Sequence, residues 1–328
     1  MTISTHEAEH VIGALRQGSR FLVTSHISPD GDAIGSVLAL AHLLHGMGKS
    51  SVTCVLEDPV PRVYTWLDGA SGIVAPGAVV DSYDTAVLID AHTADRSGKV
   101  APLLAKAERF VVVDHHLVES ADGVVKWIDP TYAAAGEMVY DLFMRGGVPL
   151  TRSAAECIYT AQTTDTGSFR YSNTTARSHR IASVLMDAGI NIRAITERVI
   201  DTMSRGKYGL LQRVLGRIQF LANGTVAFAD ILSNDLAETG ALPEDTDGLI
   251  NYLRNIEGVR VAMLFRETNG GKTKVSFRTQ PELNAAELCR AFGGGGHAVA
   301  AGATLECSID DARKTVLAHL RSHSGLDL

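Results

Sequence analysis

The sequence predicts an α/β protein whose N-terminal half is built on a parallel sheet, and two observations support this fold class. Continuous apolar, β-branched runs recur in the first half of the chain: FLVTS (21–25), SVTCVLE (51–57), TAVLID (85–90) and RFVVVD (109–114). Such runs are typical of strands buried on both faces. Helical patterns lie between them, and alternating strands and helices indicate a parallel sheet with helices on both faces.

The rest of the chain predicts further helices and a second α/β domain. The segment 33–48 repeats apolar residues at helical spacing and ends on Gly48, a predicted C-cap. From about 136 to 219 the pattern is mostly helical, and the stretch 207–221 is predicted to be a connecting helix. Strand patterns then return in TVAFADI, VRVAMLF and TKVSFR. A chain of 328 residues suggests two domains, which we place at 1–190 and 223–328, joined by a helical linker at 191–222.

Composition excludes several classes of protein. With 45% hydrophobic and 20% charged residues, the chain has the composition of a globular protein and not of a disordered one. A net charge of −7 argues against coating long nucleic acid, but leaves open a short nucleotide in a locally basic pocket. The four cysteines form no CxxC pair, so neither a disulfide framework nor a thiolate zinc site is indicated. Without a signal-like N-terminus or an apolar run of membrane length, we expect a cytoplasmic protein with no membrane partner.

Histidines and aspartates follow three of the predicted strands at the same end. The first strand is followed by His26, Asp30 and Asp32, the third by Asp90, and the fourth by Asp114, His115 and His116. Ligands bind outside the carboxyl ends of the strands in an open parallel sheet. Asp165, which follows a helix, joins them only if the fold brings it there. This many donors exceeds what one ion usually takes from protein, so the pattern favours two cations, about 3.5–4 Å apart, sharing one carboxylate.

Each of these residues also has a simpler interpretation. A histidine at a strand end is commonly a surface residue, and Asp30-Gly-Asp32 is a common turn sequence. An aspartate at a strand end often caps the following helix. The coincidence at three strands favours the metal site over these separate explanations. His92 has no evident partner in the sequence and stays unassigned.

The run Gly293–Gly296, followed by His297, has two interpretations. It is either a flexible hinge or a place where a phosphate approaches backbone N–H groups closely. It matches neither a dinucleotide fingerprint nor a P-loop. Cationic residues precede it in an otherwise acidic protein, as expected for an anionic ligand, although each also fits solvated surface charge: Arg266, Lys272, Lys274, Arg278 and Arg290.

These motifs resemble, in order, the four motifs of the DHH phosphoesterase superfamily: His26-x-x-x-Asp30-x-Asp32, Asp90, Asp114-His115-His116 and Asp165. The segment GGGGHAVAAGA (293–303) resembles part of the DHH-associated C-terminal domain. The two-domain arrangement is similar to the NrnA-like enzymes of this superfamily. Those enzymes degrade very short oligoribonucleotides and remove the 3′-phosphate from phosphoadenosine phosphate.

The resemblance implies a role for each position. One ion would be held by His26, Asp30 and Asp90, and the other by Asp32, Asp90, His115 and Asp165. His116 would face the substrate phosphate, and Arg96 would add positive charge unless it forms a surface or structural ion pair. The far end of the substrate would be held by Arg278, Gly293, Gly294, Gly295, Gly296 and His297. Imidazole and carboxylate ligands suit two Mn²⁺ ions, without excluding Mg²⁺, Co²⁺ or Zn²⁺.

The activity implied is a two-metal phosphodiesterase and phosphatase. It would cleave very short oligonucleotides, including linear diadenylate (pApA), to mononucleotides, and 3′-phosphoadenosine 5′-phosphate to AMP. Hydrolysis of cyclic di-AMP is the main alternative, because the shape of the pocket, and not the motifs, decides whether this substrate is cleaved. A pyrophosphatase would not be expected to carry GGGGH, and a RecJ-like exonuclease usually has a further nucleic-acid-binding domain. Long duplex nucleic acid is not expected as a partner.

The same motifs bear on non-enzymatic roles and on assembly. A nucleotide-binding regulator with a disabled site is disfavoured because all the motif positions are intact. Metal storage would leave a phosphate-binding second domain without a role. The family suggests a homodimer, but no residue indicates an interface.

Overall fold

The computed structural model describes residues 5–80, 82–118, 120–268 and 270–323. The chain forms two compact units, Met1–Thr202 and Met203–Leu328, and the division falls inside the segment 191–222 that we predicted as a linker. Within the described ranges, no helix combines the length and apolar character needed to cross a membrane.

The first unit contains a five-stranded, all-parallel sheet with the strand order β2-β1-β3-β4-β5. Its strands are β1 (Arg20–Thr24), β2 (Ser51–Cys54), β3 (Thr85–Ile89), β4 (Arg109–Asp114) and β5 (Val125–Ile128). Its helices are α1 (Thr5–Gln17), α2 (Gly31–Gly46), α3 (Ala101–Leu104), α4 (Ala135–Gly146), α5 (Arg152–Asp165), α6 (Ala176–Asp187) and α7 (Ile192–Thr196).

This sheet is buried on both faces, as its apolar strand sequences predict. Phe21 and Val23 of β1 join the large core formed with α1, α2, α4 and α5. Leu22, between them, joins a smaller core that includes Val100 and Leu104. Side chains that alternate between two apolar environments explain why these strands are continuous apolar runs. The predicted parallel sheet is therefore confirmed.

The second unit contains a mixed six-stranded sheet with the order β10-β11-β9-β8-β7-β6, in which β7 and β8 are parallel. Its strands are β6 (Gln219–Leu221), β7 (Val226–Ile231), β8 (Val261–Thr268), β9 (Lys272–Thr279), β10 (Gly295–His297) and β11 (Ala300–Leu305). Its helices are α8 (Arg205–Gly216), α9 (Ser233–Thr239), α10 (Ile250–Arg254), α11 (Ala285–Arg290) and α12 (Ile309–His323).

The two faces of this sheet pack differently. Val275 and Phe277 of β9 point into a core shared with α11 and α12. Residues of β7 and β8 on the opposite face pack with α8 and α10. The prediction of one helix over 207–221 is wrong at its end, because Gln219–Leu221 pairs antiparallel with β7 as strand β6. Backbone pairing with β7 outweighs the helical pattern there.

Candidate metal centre

Three neighbouring strands of the first unit deliver polar side chains to one edge of the sheet. His26 lies two residues beyond β1, Asp90 directly follows β3, and Asp114 ends β4. Because β1, β3 and β4 are parallel neighbours, their carboxyl ends meet. Asp165 arrives differently, as the last residue of α5.

Three groups of potential ligand atoms lie at this edge, each with its atoms within 4.8 Å of one another. The groups are His26, Asp30 and Asp90; Asp32, His115 and Asp165; and Asp90, His115 and His116. Asp90 and His115 each belong to two groups. The structure thus brings together all six side chains that the resemblance assigns as ligands.

Asp90 lies between two imidazoles. Its Oδ2 is 3.4 Å from Nε2 of His26, and its Oδ1 is 3.4 Å from Nε2 of His115. The Nε2 atom of His115 is also 3.4 Å from Oδ2 of Asp32 and 3.7 Å from Oδ2 of Asp165. The two oxygens of Asp90 therefore face different imidazoles.

Helix N-termini explain how two neighbouring aspartates are accommodated. Oδ1 of Asp30 caps α2 by accepting the N–H groups of Asp32 and Ala33, both at 3.0 Å. Asp32 is buried and accepts the N–H groups of Ala135, at 2.7 Å, and Gly136, at 3.0 Å, in the first turn of α4. Each carboxylate therefore has its own donors at a different helix N-terminus, where negative charge is favoured.

The residues fit a divalent cation. Oδ1 of the buried Asp90 accepts no hydrogen bond from the described residues. Asp90 also has a φ of 59°, a left-handed conformation that residues other than glycine adopt uncommonly. A buried, unsatisfied carboxylate oxygen in a ring of imidazoles and carboxylates leaves a lone pair for a metal ion. Imidazole and carboxylate ligands suit the divalent ions of the first transition row, and Mg²⁺ prefers oxygen donors.

Protonation equilibria reflect the crowding of carboxylates. Burial raises the pKa of Asp32, and the negative charge of Asp90 adds to this. Burial likewise raises the pKa of Asp165 to about 7. Burial alone would raise the pKa of Asp90, but its contacts with His115 and His26 hold that pKa far below its usual value. Burial disfavours the charged form of His26, yet Asp90 outweighs this and raises the pKa of His26 to about 9. Without a metal ion, bound protons therefore neutralise part of the negative charge of these carboxylates. A metal ion at the centre would neutralise the same charge.

Asp114 is not in any of the three groups, but it orients two histidines. Its Oδ1 accepts Nδ1–H of His116 at 2.7 Å, and its Oδ2 accepts Nδ1–H of His92 at 3.1 Å. Burial opposes the charge of His116, but the bond to Asp114 outweighs it and raises the pKa of His116. His92 had no assigned role in the sequence. The sequence did contain one indication of this contact, since His92 lies two residues after Asp90 and therefore at the same edge of the sheet.

Asn173 is a second residue that the sequence analysis missed. Its Nδ2 donates to the backbone oxygens of Ala133, at 3.0 Å, and Asp165, at 3.1 Å, and it lies 3.4 Å from Oδ2 of Asp165. The segment after α5 is thereby tied to a candidate ligand. Nothing in the pattern of residues around 173 indicated this contact.

Arg96 lies near the centre through its backbone. Its carbonyl accepts the N–H of Ile27 at 2.8 Å, next to His26. Its side chain is exposed and makes no hydrogen bond or ion pair with the described residues. A hydrogen bond from Thr93 and, more weakly, the positive charge of Arg96 lower the pKa of Asp95. The surface or structural ion pair considered as an alternative for Arg96 therefore stays open, and its catalytic role stays a prediction.

The predicted substrate residues of the second unit lie on β9, on β10 and in the turn before β10. Arg278 shares a pocket with two other cations, Arg266 and Lys274, together with Ser276 and Asp247. Burial, with Arg266 nearby, lowers the pKa of Lys274 although this side chain keeps access to solvent. The pocket therefore concentrates positive charge on an otherwise acidic chain.

The glycine run has a structural reason that the sequence did not indicate. A Cβ at Gly294 would lie 2.2 Å from the carbonyl oxygen of Gly302, and one at Gly296 would lie 2.5 Å from that of Ala300. Gly295, Gly296 and His297 form β10, which pairs with β11. Gly293 lies in the preceding turn with a φ of 69°. The side chain of His297 lies outside the described part, so its predicted role stays a prediction.

Comparisons with known proteins agree with the fold and the motifs. The family model described as the DHH family, N-terminal domain, matches residues 20–162, and that of the DHHA1 domain matches residues 223–322. The chain is 33% identical to the bifunctional oligoribonuclease and PAP phosphatase NrnA of Thermus thermophilus, over 91% of this chain and 88% of that protein. The Bacillus subtilis protein of the same name is 27% identical, over 90% of this chain and 92% of that one.

Among solved structures, an exopolyphosphatase-related protein from Bacteroides fragilis superposes with a TM-score of 0.89 at 25% identity. The superposition covers 98% of this chain and 97% of that one. The expected superfamily is thus confirmed by both family models and by relatives that match along most of the chain. The chain belongs to the DHH family, with a C-terminal DHHA1 domain, and it is a hydrolase of the phosphoesterase type.

Proposed function

We propose that this chain hydrolyses very short oligonucleotides to mononucleotides and 3′-phosphoadenosine 5′-phosphate to AMP, using two divalent cations at the candidate metal centre. The observation that carries the proposal is the position of Asp90, whose two oxygens face His26 and His115 separately. The names of the similar Thermus and Bacillus proteins, which combine oligoribonuclease and PAP phosphatase, support this choice of substrates.

The donor atoms divide into two sets that share Asp90. His26, Asp30 and Asp90 would hold one cation, and Asp32, Asp90, His115 and Asp165 the other. We assign two Mn²⁺ ions, with Mg²⁺ and Co²⁺ as substitutes that the ligand types also admit. When bound, such a pair supplies an activated water and positive charge for the transferring phosphoryl group.

His116 and Arg96 would supply the protein's own positive charge. Because Asp114 accepts the Nδ1–H of His116, the imidazole is held in one orientation, and in this proposal its Nε2 donates to a phosphate oxygen. Asp114 also favours the protonated ring, which suits a donor to an oxygen that gains negative charge. The exposed guanidinium of Arg96 would be the second donor.

The basic pocket of the second unit would bind an anionic part of the substrate. Lys274 makes no hydrogen bond or ion pair among the described residues, and Arg266 adds a second positive charge nearby. An anion placed there would relieve the repulsion between the two cations. Arg278 lines the same pocket, which agrees with its predicted role.

The test is product analysis with purified protein and Mn²⁺. The substrates are phosphoadenosine phosphate, linear and cyclic diadenylate, RNAs of two to five nucleotides, a long single-stranded DNA and pyrophosphate. We expect the short linear substrates and phosphoadenosine phosphate to be preferred, with mononucleotide products. Preferred cleavage of cyclic diadenylate would replace the proposal with a signalling phosphodiesterase, and cleavage of none would overturn it.

A variant pair tests the pocket in the same assay. Arg278→Ala should raise KM for the short substrates by about tenfold, as expected for the loss of a charged contact, and should change kcat little. Arg321→Ala is the matched control, because Arg321 is exposed on α12, which packs on the opposite face of the sheet. An unchanged KM in Arg278→Ala would remove this residue from the binding site. The cytoplasmic location and the homodimer stay predictions.

A further inference from the structure

The segment that follows the candidate ligand Asp165 has an unusual backbone. Gly167, Ser168 and Phe169 have φ values of 56°, 59° and 62°, three consecutive left-handed residues of which two are not glycine. The turn is fixed by hydrogen bonds from Ser168 N–H to the Thr163 carbonyl, at 2.7 Å, and from Phe169 N–H to Thr166 Oγ1, at 3.0 Å. Strained backbone persists only where its surroundings determine it, and it concentrates at functional sites.

This turn places Phe169 in a short ladder of aromatic rings. The ring of Phe169 lies 6.1 Å from that of the buried Tyr159 and 5.1 Å from that of His179, measured between centroids. The planes of Phe169 and His179 are only 24° apart, so these two rings stack. His179 is exposed. The ladder therefore begins in the core of the unit and ends in an imidazole that is open to solvent.

Positive charge flanks the end of the ladder. Residues 166–186 contain Arg170, Arg177 and Arg180 but no aspartate or glutamate, in a chain whose net charge is −7. Arg180 is exposed and makes no hydrogen bond or ion pair with the described residues. Arg170 is exposed as well, and toward the described residues only its Nε is engaged, donating to the Gly167 carbonyl at 2.6 Å. We name Arg170, His179 and Arg180 the basic surface.

The basic surface is joined to the metal centre through a short piece of chain. Asp165 lies five residues before Arg170, and Asn173 returns to it through a 3.1 Å hydrogen bond to its carbonyl oxygen. Both ends of the turn are thus fixed to the candidate ligand. The stretch of chain that leads from the candidate ligand Asp165 to Arg170 is therefore short, and it lies in the same unit as the metal centre.

We propose that the basic surface binds the additional nucleotides of single-stranded RNA longer than a dinucleotide, with a base stacked on His179 and phosphates paired with Arg170 and Arg180. The inference rests on the proposed function and specifies its substrate range. Exposed aromatic rings flanked by cations are the usual means of holding single strands without sequence preference, because every base offers a stacking face. Phosphoadenosine phosphate and dinucleotides are too short to need it.

The test compares substrates of different length. In the double variant His179→Ala/Arg180→Glu, kcat/KM for a five-nucleotide RNA should fall by about tenfold, the scale expected for one lost stacking contact. The value for phosphoadenosine phosphate and for a dinucleotide should stay within about twofold, since the proposal assigns this surface only to nucleotides beyond the second. Lys106→Glu is the matched control, because the exposed Lys106 precedes β4 and so lies at the opposite edge of the sheet.

An equal fall for all three substrates, or no fall for the longest, would overturn the proposal. A second measurement is independent of turnover: fluorescence anisotropy of a labelled five-nucleotide RNA with the metal-free protein. Weaker RNA binding in the double variant, together with recovery of binding in the single variant Arg180→Lys, which keeps His179, supports the basic surface. Unchanged RNA binding in the double variant overturns it. If the wild-type protein cleaves no substrate, the proposed function fails, whereas the anisotropy result still decides whether this surface binds RNA.

Discussion

The proposal of two cations depends on Asp90. It is 2% exposed, and its two oxygens face the imidazoles of His26 and His115. In the proposal of two cations each oxygen faces one of them, whereas without cations the contacts with His115 and His26 offset the cost of burying this carboxylate. Its left-handed φ and its hydrogen bond from the backbone N–H to Val113 fix the direction of the carboxylate.

Asp90→Asn should therefore lose both metal and turnover. We expect fewer bound Mn²⁺ ions by elemental analysis after dialysis and a fall in kcat of at least about 100-fold, because an amide replaces a shared anionic ligand. His116→Gln is the matched variant, since it leaves the six assigned ligands in place. It should keep the metal content and lose about 10²–10³ in kcat, as for a lost transition-state donor. Near wild-type turnover in Asp90→Asn would rule out a bridging role, and loss of both ions in His116→Gln would make His116 a ligand.

The strand ends were predictable from sequence, whereas the contacts that orient them were not. His26, Asp90 and His115 follow apolar runs, and parallel strands must bring such residues to one edge. The pairing of His92 with Asp114 joins residues 22 positions apart, and Asn173 reaches Asp165 through a turn with an unusual backbone. Side-chain hydrogen bonds of this kind follow from tertiary structure and have no periodic signal in the sequence.

At the scale of elements, strands were predictable where burial makes them continuously apolar. β3 is buried along its whole length, and its predicted and observed bounds differ by one residue. β5 has one fully buried side chain, Trp127, and β10 consists of Gly295, Gly296 and His297. Such short segments become strands by pairing with a neighbour, since their own propensity is weak.

Helices α2 and α5 carry three of the six assigned ligands, and glycine permits their close packing. Asp30 caps α2, Asp32 lies in its first turn, and Asp165 ends α5. A Cβ at Gly35 of α2 would lie 2.4 Å from the carbonyl oxygen of Cys157 in α5. The backbone carbonyl cannot move aside without shifting α5. The distance between the ligands on α2 and Asp165 on α5 therefore depends on a residue that is not itself a ligand.

Gly35→Ala should destabilise the first unit by about 1–3 kcal/mol, the usual cost of overpacking, and should weaken Mn²⁺ binding. Gly13→Ala is the matched control, because Gly13 lies in α1 and, beyond its chain neighbours and the backbone of its own helix, no atom of the described residues lies within 4 Å of the added Cβ. It should be neutral or stabilising by up to about 1 kcal/mol. Urea unfolding followed by tryptophan fluorescence measures both, since the two tryptophans, Trp66 and Trp127, belong to the first unit. Equal effects in the two variants would contradict the packing argument.

At the scale of the whole molecule, charge is distributed unevenly. The net charge of −7 excludes a general nucleic-acid coat, yet the candidate centre concentrates carboxylates while the pocket of the second unit and the basic surface concentrate cations. The composition alone predicted the conclusion drawn from the net charge. The local concentrations depend on which strand faces and helix ends meet, so they required the fold. An acidic centre and separate basic surfaces suit a metal-dependent enzyme that acts on anions.

Metal binding should stabilise the first unit. Four aspartates at one edge repel one another in the metal-free chain, and a ligand that binds only the folded state stabilises it by about 2.7 kcal/mol at 100 times its Kd. For a unit of this size we expect a rise in melting temperature of about 5–10 °C with saturating Mn²⁺.

The rise is measured by tryptophan fluorescence, which reports the first unit, and EDTA should reverse it. Arg278→Ala should keep the full rise, because its substitution lies in the second unit, whereas Asp90→Asn should lose most of it. A rise of the same size in Asp90→Asn would mean that the stabilising ions bind somewhere other than at the ends of β1, β3 and β4. No rise in the wild-type protein would mean that these carboxylates hold protons in place of metal ions.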